Sequence, residues 1–395
     1  MVHEDPLSPL ATFHMLYTVG ARNEQPSRTG FAHLFEHLMF GGSANVADFD
    51  YYVQRAGGDS NAYTSNDATN YYITLPADNI ETAFWLESDR LLSPAFSQEA
   101  LDVQKKVVIE EFRQRYLNCP YGDIQHLFRS LTYKVHPYRW PTIGLTTDHI
   151  EQASLDEVKA FFFSQYIPRH AILAVSGNVE TARIFDLAEK WFGGIERDAP
   201  EVVPPVEPVQ TEARRLDVTA DVPAHRIMVA FHMGSRLSED HKLGDLMTDV
   251  LADGASSRLV QHLVKERQSC TDVNAYITGS YDPGLLVLMA QVADGVEPEE
   301  VERQLLDEVE AIKAYGPTDF ELNKARNRQV AGQVIGEIAS PAIAQALAGY
   351  ERLGDANLIN TDYHAYDDVS AADIMAFASK ICTPQNSSTL IYRHK

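Results

Sequence analysis

Two histidines and a glutamate lie close together near the start of the chain, in the segment His33-Leu34-Phe35-Glu36-His37. On a helix, positions i, i+3 and i+4 share one face, so two imidazoles can reach one metal ion while a carboxylate points at the same place. Neutral imidazole and carboxylate suit Zn²⁺. The spacing therefore predicts a zinc site with His33 and His37 as ligands and Glu36 placed to take a proton from a bound water.

A third protein ligand is needed, because a catalytic zinc site has three of them and one open position for water. A helical run in the first half carries an acidic pair, Glu110 and Glu111, directly after three β-branched residues. A helix could turn either carboxylate inward there, so the residues alone leave both as candidates. Gln104 lies two turns before Glu111 on the same face, which predicts a hydrogen-bonding role behind the ligand.

The remaining composition excludes several classes of function. The formal net charge of −23 argues against a nucleic-acid surface, because phosphates require a basic footprint. The three cysteines are far apart and form no CxxC pair, so neither a disulfide framework nor a cysteine zinc site is expected. No apolar stretch approaches the length that spans a bilayer, so no membrane partner is expected. The segment Met1–Asp5 lacks the pattern of a secretory signal, which predicts a cytoplasmic protein, or a periplasmic one if a leader precedes this sequence.

A proline-rich segment over residues 200–208 divides the chain into nearly equal halves. Proline fixes φ, removes a backbone donor and discourages helix, so this segment predicts an extended linker. We therefore expect two domains, 1–199 and 213–395, joined by a linker over 200–212. The first of these carries the predicted zinc site.

The two halves follow one plan. Ser154 and Pro168 bracket a helix followed by a strand near the end of the first half, and Ser370 and Pro384 bracket the same pattern in the second. In each half a strand hairpin and two helical runs come earlier, in the same order. The patterns predict an α+β fold of two similar domains related by internal duplication, each a mostly antiparallel sheet packed with helices.

Taken together, these residues resemble the pitrilysin-type, or inverzincin, zinc metallopeptidases, which carry an HxxEH motif. The resemblance covers essentially the whole chain. It rests on Gly30–Ser43, Gly57-Gly58, Asn61–Ser65, Asp67, Thr69, Tyr71-Tyr72, Val107–Glu111 and Gly254–Leu259. It implies one Zn²⁺ per chain held by His33, His37 and Glu111, with Glu111 preferred to Glu110, and Glu36 as the general base.

The resemblance also implies where a substrate is held. Asn61, Ala62 and Tyr63 match the edge strand on which such enzymes bind a peptide as an added strand. Gln104 is a departure, because the family commonly has another glutamate there. Its amide can donate and accept hydrogen bonds but cannot act as a base.

The second half departs from the catalytic pattern. Gly332 falls at the place of Glu111 in the repeat, and residues 241–245 contain no HxxEH. Val264 and Thr271 stand where related enzymes carry an arginine and a tyrosine that contact the substrate. The resemblance therefore implies a heterodimer with a homologous subunit that lacks HxxEH and supplies the Arg and Tyr contacts. A homodimer is the competing assembly.

The expected function is that of a zinc endopeptidase that hydrolyses peptides or extended polypeptide segments inside a chamber formed with a second subunit. Two alternatives stay open at this point. The chain could be a structural or assembly subunit with a vestigial metal site, or a narrow processing peptidase that cuts presequences. The intact triplet of His33, Glu36 and His37 favours an enzyme, since a structural subunit has no need of a base beside two ligands.

Overall fold

The computed structural model describes residues 1–395, which form two compact units. Each unit is built from three segments of chain. Unit 1 comprises 1–114, 140–205 and 334–361, and unit 2 comprises 115–139, 206–333 and 362–395. The junction between residues 205 and 206 falls inside the predicted linker, while one segment of each half belongs to the unit formed mainly by the other half.

Ten strands and thirteen helices make up the two units, with short 3₁₀ and π-helical turns between them. The strands are β1 (Val2–Glu4), β2 (Leu10–Tyr17), β3 (Asp59–Thr64), β4 (Thr69–Pro76), β5 (Ala171–Gly177), β6 (Arg214–Ala220), β7 (Arg226–His232), β8 (Cys270–Ile277), β9 (Leu285–Val292) and β10 (Ser387–His394). The helices are α1 (Phe31–Met39), α2 (Phe49–Arg55), α3 (Ile80–Leu92), α4 (Gln98–Phe112), α5 (Ile124–Thr132), α6 (Thr147–Glu151), α7 (Leu155–Gln165), α8 (Thr181–Phe192), α9 (Glu239–Ala252), α10 (Pro298–Tyr315), α11 (Asp319–Gly336), α12 (Ser340–Arg352) and α13 (Ala371–Ile381). None of these helices is both long enough and apolar enough to cross a lipid bilayer.

Each unit contains one five-stranded mixed sheet, and the two sheets have the same topology. The strand order is β1-β5-β2-β4-β3 in unit 1 and β6-β10-β7-β9-β8 in unit 2. In both sheets the first pair is parallel and the other pairs are antiparallel. The predicted α+β class, with two similar and mostly antiparallel halves, is confirmed.

One face of the sheet in unit 1 packs against α1, α3 and α7 through aromatic side chains. Phe13 of β2 contacts Phe84 of α3, with ring centroids 4.9 Å apart. Tyr166 follows α7, and its ring lies 4.7 Å from that of Tyr17 and 4.5 Å from that of Phe35 on α1. All five rings are buried. The helix that carries the HxxEH segment is therefore fixed to the sheet through its apolar side.

The opposite face of this sheet is covered by α12, a helix from the second half of the sequence. Ala344 and Ala348 of α12 are fully buried and pack against Leu16 and Ala174 of the sheet. Small side chains allow a helix to approach a sheet closely. The sheet of unit 1 is therefore completed by a helix that lies more than 160 residues after its last strand, β5.

The sheet of unit 2 receives a helix from the first half in return. Ile124 and Phe128 of α5 pack into a buried cluster with Val287 of β9 and Leu390 of β10. The helices α5 and α12 occupy matching places in the repeat, since α5 follows α4 and α12 follows α11. The two halves of the sequence thus exchange one helix each.

Candidate metal centre

The helix α1 begins at a conformation that requires glycine and is capped by a distant carboxylate. Gly30 adopts a φ of 85°, and a Cβ there would lie 2.6 Å from the carbonyl oxygen of Ile143. The carboxylate of Glu24 accepts hydrogen bonds from the backbone N–H of Gly30 at 3.0 Å and of Ala32 at 2.8 Å. These bonds satisfy donors that the first turn of a helix leaves unpaired. They fix the start of the helix that carries the predicted ligands.

The apolar and polar residues of α1 lie on different sides of the helix. The buried side chains are Phe31, Ala32, Leu34, Phe35, Leu38 and Met39. His33 and His37 keep 14% and 24% of their side-chain surface exposed. Anchoring of the apolar side therefore leaves both imidazoles at the surface of the helix that a ligand can reach.

Helix α4 brings a carboxylate to the two imidazoles. An oxygen of Glu111 lies 3.7 Å from Nε2 of His33 and 3.6 Å from Nε2 of His37. One ligand atom from each of the three side chains falls within 4.8 Å of the others. With metal–ligand bonds of about 2.0–2.2 Å, two ligand atoms around a tetrahedral Zn²⁺ stand about 3.4 Å apart. The three side chains therefore fit one zinc ion in both donor type and spacing.

The other candidates on α4 lie away from these donor atoms. Glu110 is exposed, and its carboxylate accepts a hydrogen bond from Gln114 at 3.1 Å. The structure thus brings Glu111, and not Glu110, to the imidazoles. The half-buried side chain of Gln104 makes no hydrogen bond to the three metal-site side chains, so its role behind the ligand stays a prediction.

Glu36 is held from the side of the sheet. The hydroxyl of Thr64, on β3, donates a hydrogen bond of 2.5 Å to Oε2 of Glu36. Burial raises the pKa of Glu36, whereas the bond from Thr64 and the nearby His37 act in the opposite direction. A raised pKa suits a group that must accept a proton and later release it. The sequence patterns did not indicate Thr64 or Glu24 as residues that support the site, because neither lies in the HxxEH segment.

The predicted substrate residues lie on β3, which is an edge strand. β3 pairs with β4 on one side only, so its other edge is open to an added strand. The N–H of Ala62 donates to the side-chain oxygen of Asn61 at 2.8 Å. The hydroxyl of Tyr63 accepts a hydrogen bond of 2.6 Å from Gln345 of α12. The three residues are placed where a peptide strand could pair, and their binding role stays a prediction.

The matching place in unit 2 holds no such set of ligands. No second group of three His, Cys, Asp or Glu side chains has ligand atoms close enough to bind one ion. On α9, Asp245 accepts a hydrogen bond of 2.8 Å from the hydroxyl of Tyr366. Gly332 of α11 carries no side chain at the place that Glu111 has in unit 1. The only candidate metal centre therefore lies in unit 1.

Comparison with known proteins identifies the family. Residues 1–144 match the family model described as insulinase, peptidase family M16, and residues 152–329 match the model described as the peptidase M16 inactive domain. This chain belongs to the M16 family. The resemblance that the motifs indicated is confirmed, and the M16 inactive-domain match covers most of the half without an HxxEH motif.

Individual sequence relatives and solved structures agree with this assignment. The zinc protease PqqE of Helicobacter pylori is 28% identical over 385 residues, which cover 96% of this chain and 86% of that protein. A crystal structure of a protease from Helicobacter pylori superimposes with a TM-score of 0.92 at 26% identity, covering 99% of this chain and 96% of the other. The first half of the periplasmic protease PqqL from Escherichia coli has the same fold, with a TM-score of 0.80 at 16% identity, covering 99% of this chain and 88% of the other. Sequence relatives such as PqqE are named zinc proteases.

Proposed function

We propose that this M16 protein is a zinc-dependent endopeptidase that hydrolyses peptides or extended polypeptide segments. The observation that carries the proposal is that His33 and His37 of α1 meet Glu111 of α4, with ligand atoms within 4.8 Å, next to Glu36 on α1. A vestigial site would not need a base held by its own hydrogen bond beside three ligands. The naming of M16 relatives as zinc proteases supports the same reaction class.

The chemistry follows from the roles of these side chains. His33, His37 and Glu111 would hold one Zn²⁺ per chain, and the ion would supply Lewis acidity toward the scissile carbonyl and the attacking water. Glu36 takes a proton from that water as it attacks the carbonyl carbon. Glu36 then passes the proton to the leaving amine when the C–N bond breaks.

The substrate is proposed to lie along β3 as an additional strand. Main-chain hydrogen bonds to an edge strand recognise an extended backbone with little regard to its side chains. The N–H of Ala62 is available to such a strand once the side chain of Asn61 turns away. Asn61, Ala62 and Tyr63 would then hold the backbone of the peptide. Selection of an extended segment excludes folded proteins and favours peptides and unfolded chains.

The active assembly is proposed to contain a second, homologous subunit. Val264 and Thr271 stand at the positions where related enzymes carry a substrate-contacting arginine and tyrosine, so a partner without HxxEH would supply them. The structural similarity to the first half of PqqL supports a catalytic unit that works with a second half. A homodimer is the alternative. We place the assembly in the cytoplasm, with the periplasm as the alternative compartment.

Two variants test the proposed reaction. Glu36→Gln should keep about one zinc per chain and abolish cleavage of an internally quenched peptide, because it removes only the base. His33→Ala should lose both zinc and cleavage. Zinc content and peptide cleavage are measured for the chain alone, for its purified oligomers, and for mixtures of the chain with candidate M16 partners that lack HxxEH.

The same measurements separate the enzyme from its main alternative, a structural subunit with a vestigial metal site. That alternative predicts no bound zinc, no cleavage in any assembly, and no effect of Glu36→Gln. Cleavage by a proven monomer at full rate would contradict the requirement for a second subunit and leave the peptidase proposal standing.

A further inference from the structure

The strand that is proposed to hold the substrate also holds the proposed general base. Thr64 is the last residue of β3, three positions after Asn61. Its hydroxyl donates to Oε2 of Glu36 at 2.5 Å. A side chain of β3 therefore contacts the base directly, while the backbone of β3 is the surface on which the peptide is proposed to pair.

The position of Thr64 is itself fixed by the sheet. Thr64 pairs with Thr69 of β4 in the antiparallel register, and their hydroxyl oxygens lie 3.5 Å apart. Thr69 is fully buried, and its hydroxyl donates to the carbonyl oxygen of Val19 at 2.9 Å. Threonine is also stiff at χ1 because it is β-branched. The donor that reaches Glu36 thus comes from a rigid part of the fold.

A hydrogen bond to one carboxylate oxygen restricts the other. A glutamate has three rotatable side-chain bonds, and a partly exposed one samples several conformers. With Oε2 held by Thr64, the remaining oxygen of Glu36 has a defined direction. A base must stand within about 2.6–3.2 Å of the proton that it takes, so this direction decides whether proton transfer is possible.

We propose that Thr64 is a positioning residue that aligns Glu36 with the peptide seated on β3. The inference rests on the proposed function, because it assumes that Glu36 acts as the base and that β3 binds the peptide. Because Glu36 is hydrogen-bonded to β3 and the peptide pairs with β3, this strand sets the distance between the base and the scissile bond in each bound substrate. Any displacement of β3 would shift the peptide and the base together.

The test compares three substitutions in the zinc-loaded protein, in whichever assembly cleaves an internally quenched peptide fastest. Thr64→Val removes the hydroxyl and keeps the shape, and Thr64→Ser keeps the hydroxyl. Thr12→Val is the matched control, because it removes a threonine hydroxyl that bonds to Thr74 at 2.9 Å in the same sheet. Zinc content and thermal unfolding are measured for each variant.

Thr64→Val should lower kcat by about 10- to 100-fold, as expected for a misplaced catalytic group. Its KM should stay within about twofold of the parent value, since the peptide is proposed to bind to backbone groups that the substitution leaves in place. Thr64→Ser should recover most of kcat, and Thr12→Val should match the parent. Zinc content should be equal in all four proteins. An unchanged kcat in Thr64→Val, or equal loss in Thr64→Ser, would overturn the proposal.

A structural measurement makes the result independent of turnover. Crystal structures of the metal-free parent and Thr64→Ser should show one conformer of Glu36, and Thr64→Val should show several or a different one. A single unchanged Glu36 conformer in Thr64→Val would contradict the positioning role. Absence of cleavage by the zinc-loaded parent in every assembly would instead refute the proposed function, and the conformers of Glu36 would still decide the role of Thr64.

Discussion

The helix that carries the candidate ligands depends on a residue outside it. Glu24 precedes Gly30 by six positions, yet its carboxylate accepts the N–H groups of Gly30 and Ala32. Burial raises the pKa of Glu24 to about 8, while these hydrogen bonds act in the opposite direction. A glycine at the start of a helix has no side chain to cap it, so Glu24 supplies the acceptor that Gly30 lacks.

Removal of this cap should destabilise α1, the helix that carries His33 and His37. We expect Glu24→Ala to lower the free energy of unfolding by about 2–4 kcal/mol, because two buried N–H groups lose their acceptor. Glu24→Gln keeps one acceptor, so its free energy of unfolding should lie between those of Glu24→Ala and the parent. Zinc affinity, measured by competition with a chelator, should fall in the same order. Glu4→Ala, which removes a carboxylate that accepts the N–H of Thr181, is the control and should leave zinc affinity unchanged.

A buried histidine should make the protein sensitive to acid. His14 of β2 is 1% exposed and neither ring nitrogen has a hydrogen-bond partner, so burial lowers its pKa from 6.5 to about 4. The unfolded chain therefore binds a proton below about pH 6.5, while the folded chain resists protonation until about pH 4. Protonation of His14 should therefore not affect the free energy of unfolding above pH 6.5. Below that pH it should lower the free energy of unfolding by up to about 3 kcal/mol as the pH drops to 4.

The contribution of His14 can be separated from that of the carboxylates. In His14→Leu the decrease in unfolding free energy between pH 6.5 and 4, measured with urea, should be smaller than in the parent. In His3→Leu, at an exposed position of β1, the decrease in unfolding free energy should equal that of the parent. Equal pH dependence in all three proteins would show that His14 does not control acid stability.

At the scale of elements, α12 completes a sheet through small residues. Ala344 and Ala348 are fully buried against β2 and β5. We expect Ala348→Leu to lower the free energy of unfolding by about 1–3 kcal/mol, because added volume in a packed interface forces side chains or the helix to shift. Ala346→Leu, at a half-buried position of the same helix, should have a smaller effect. Thermal unfolding of the two variants measures the difference, and equal effects would argue against close packing of α12.

The sequence predicted the local elements well and their pairing less well. Hairpins and amphipathic helices follow from periodicity, so the helix between Ser154 and Pro168, observed as α7, and the earlier hairpin, observed as β3 and β4, were predicted. The two candidate histidine ligands followed from the spacing of His33 and His37, whereas the choice of Glu111 over Glu110 came from the family resemblance. The packing of α12 on β2 was not predictable, because an apolar helix face does not specify which sheet it covers. Glu24 and Thr64 were missed for the same reason, since each acts on a helix from a separate element.

At the scale of the whole molecule, each unit needs a segment from the other half of the sequence. Unit 1 includes 334–361 and unit 2 includes 115–139. A polypeptide of residues 1–205 therefore lacks α12, and one of residues 206–395 lacks α5. Each would expose the apolar face that the missing helix covers, as at Leu16 of β2 and Val287 of β9.

Separate expression of the halves should test this dependence. We expect residues 1–205 alone and 206–395 alone to aggregate or to unfold without cooperativity. In each of them the sheet face that the missing helix covers is exposed. Co-expression should recover a stable, soluble pair. Circular dichroism melts and size-exclusion chromatography provide the measurement, with the full chain nicked at an engineered site near residue 203 as the control. Cooperative folding of either isolated half would show that the exchanged helix is dispensable.

The exchange of α5 and α12 also bears on the ancestry of the chain. Each half of the sequence carries a helix that covers the sheet formed mainly by the other half, α5 in the first half and α12 in the second. Two copies that traded this helix would have satisfied both sheets, which is the arrangement of a domain-swapped dimer. The present polypeptide is thus equivalent to such a dimer fused end to end. In this fused arrangement the candidate ligands His33, His37 and Glu111 belong to one half, and the other half has Gly332 at the place that Glu111 has in the repeat.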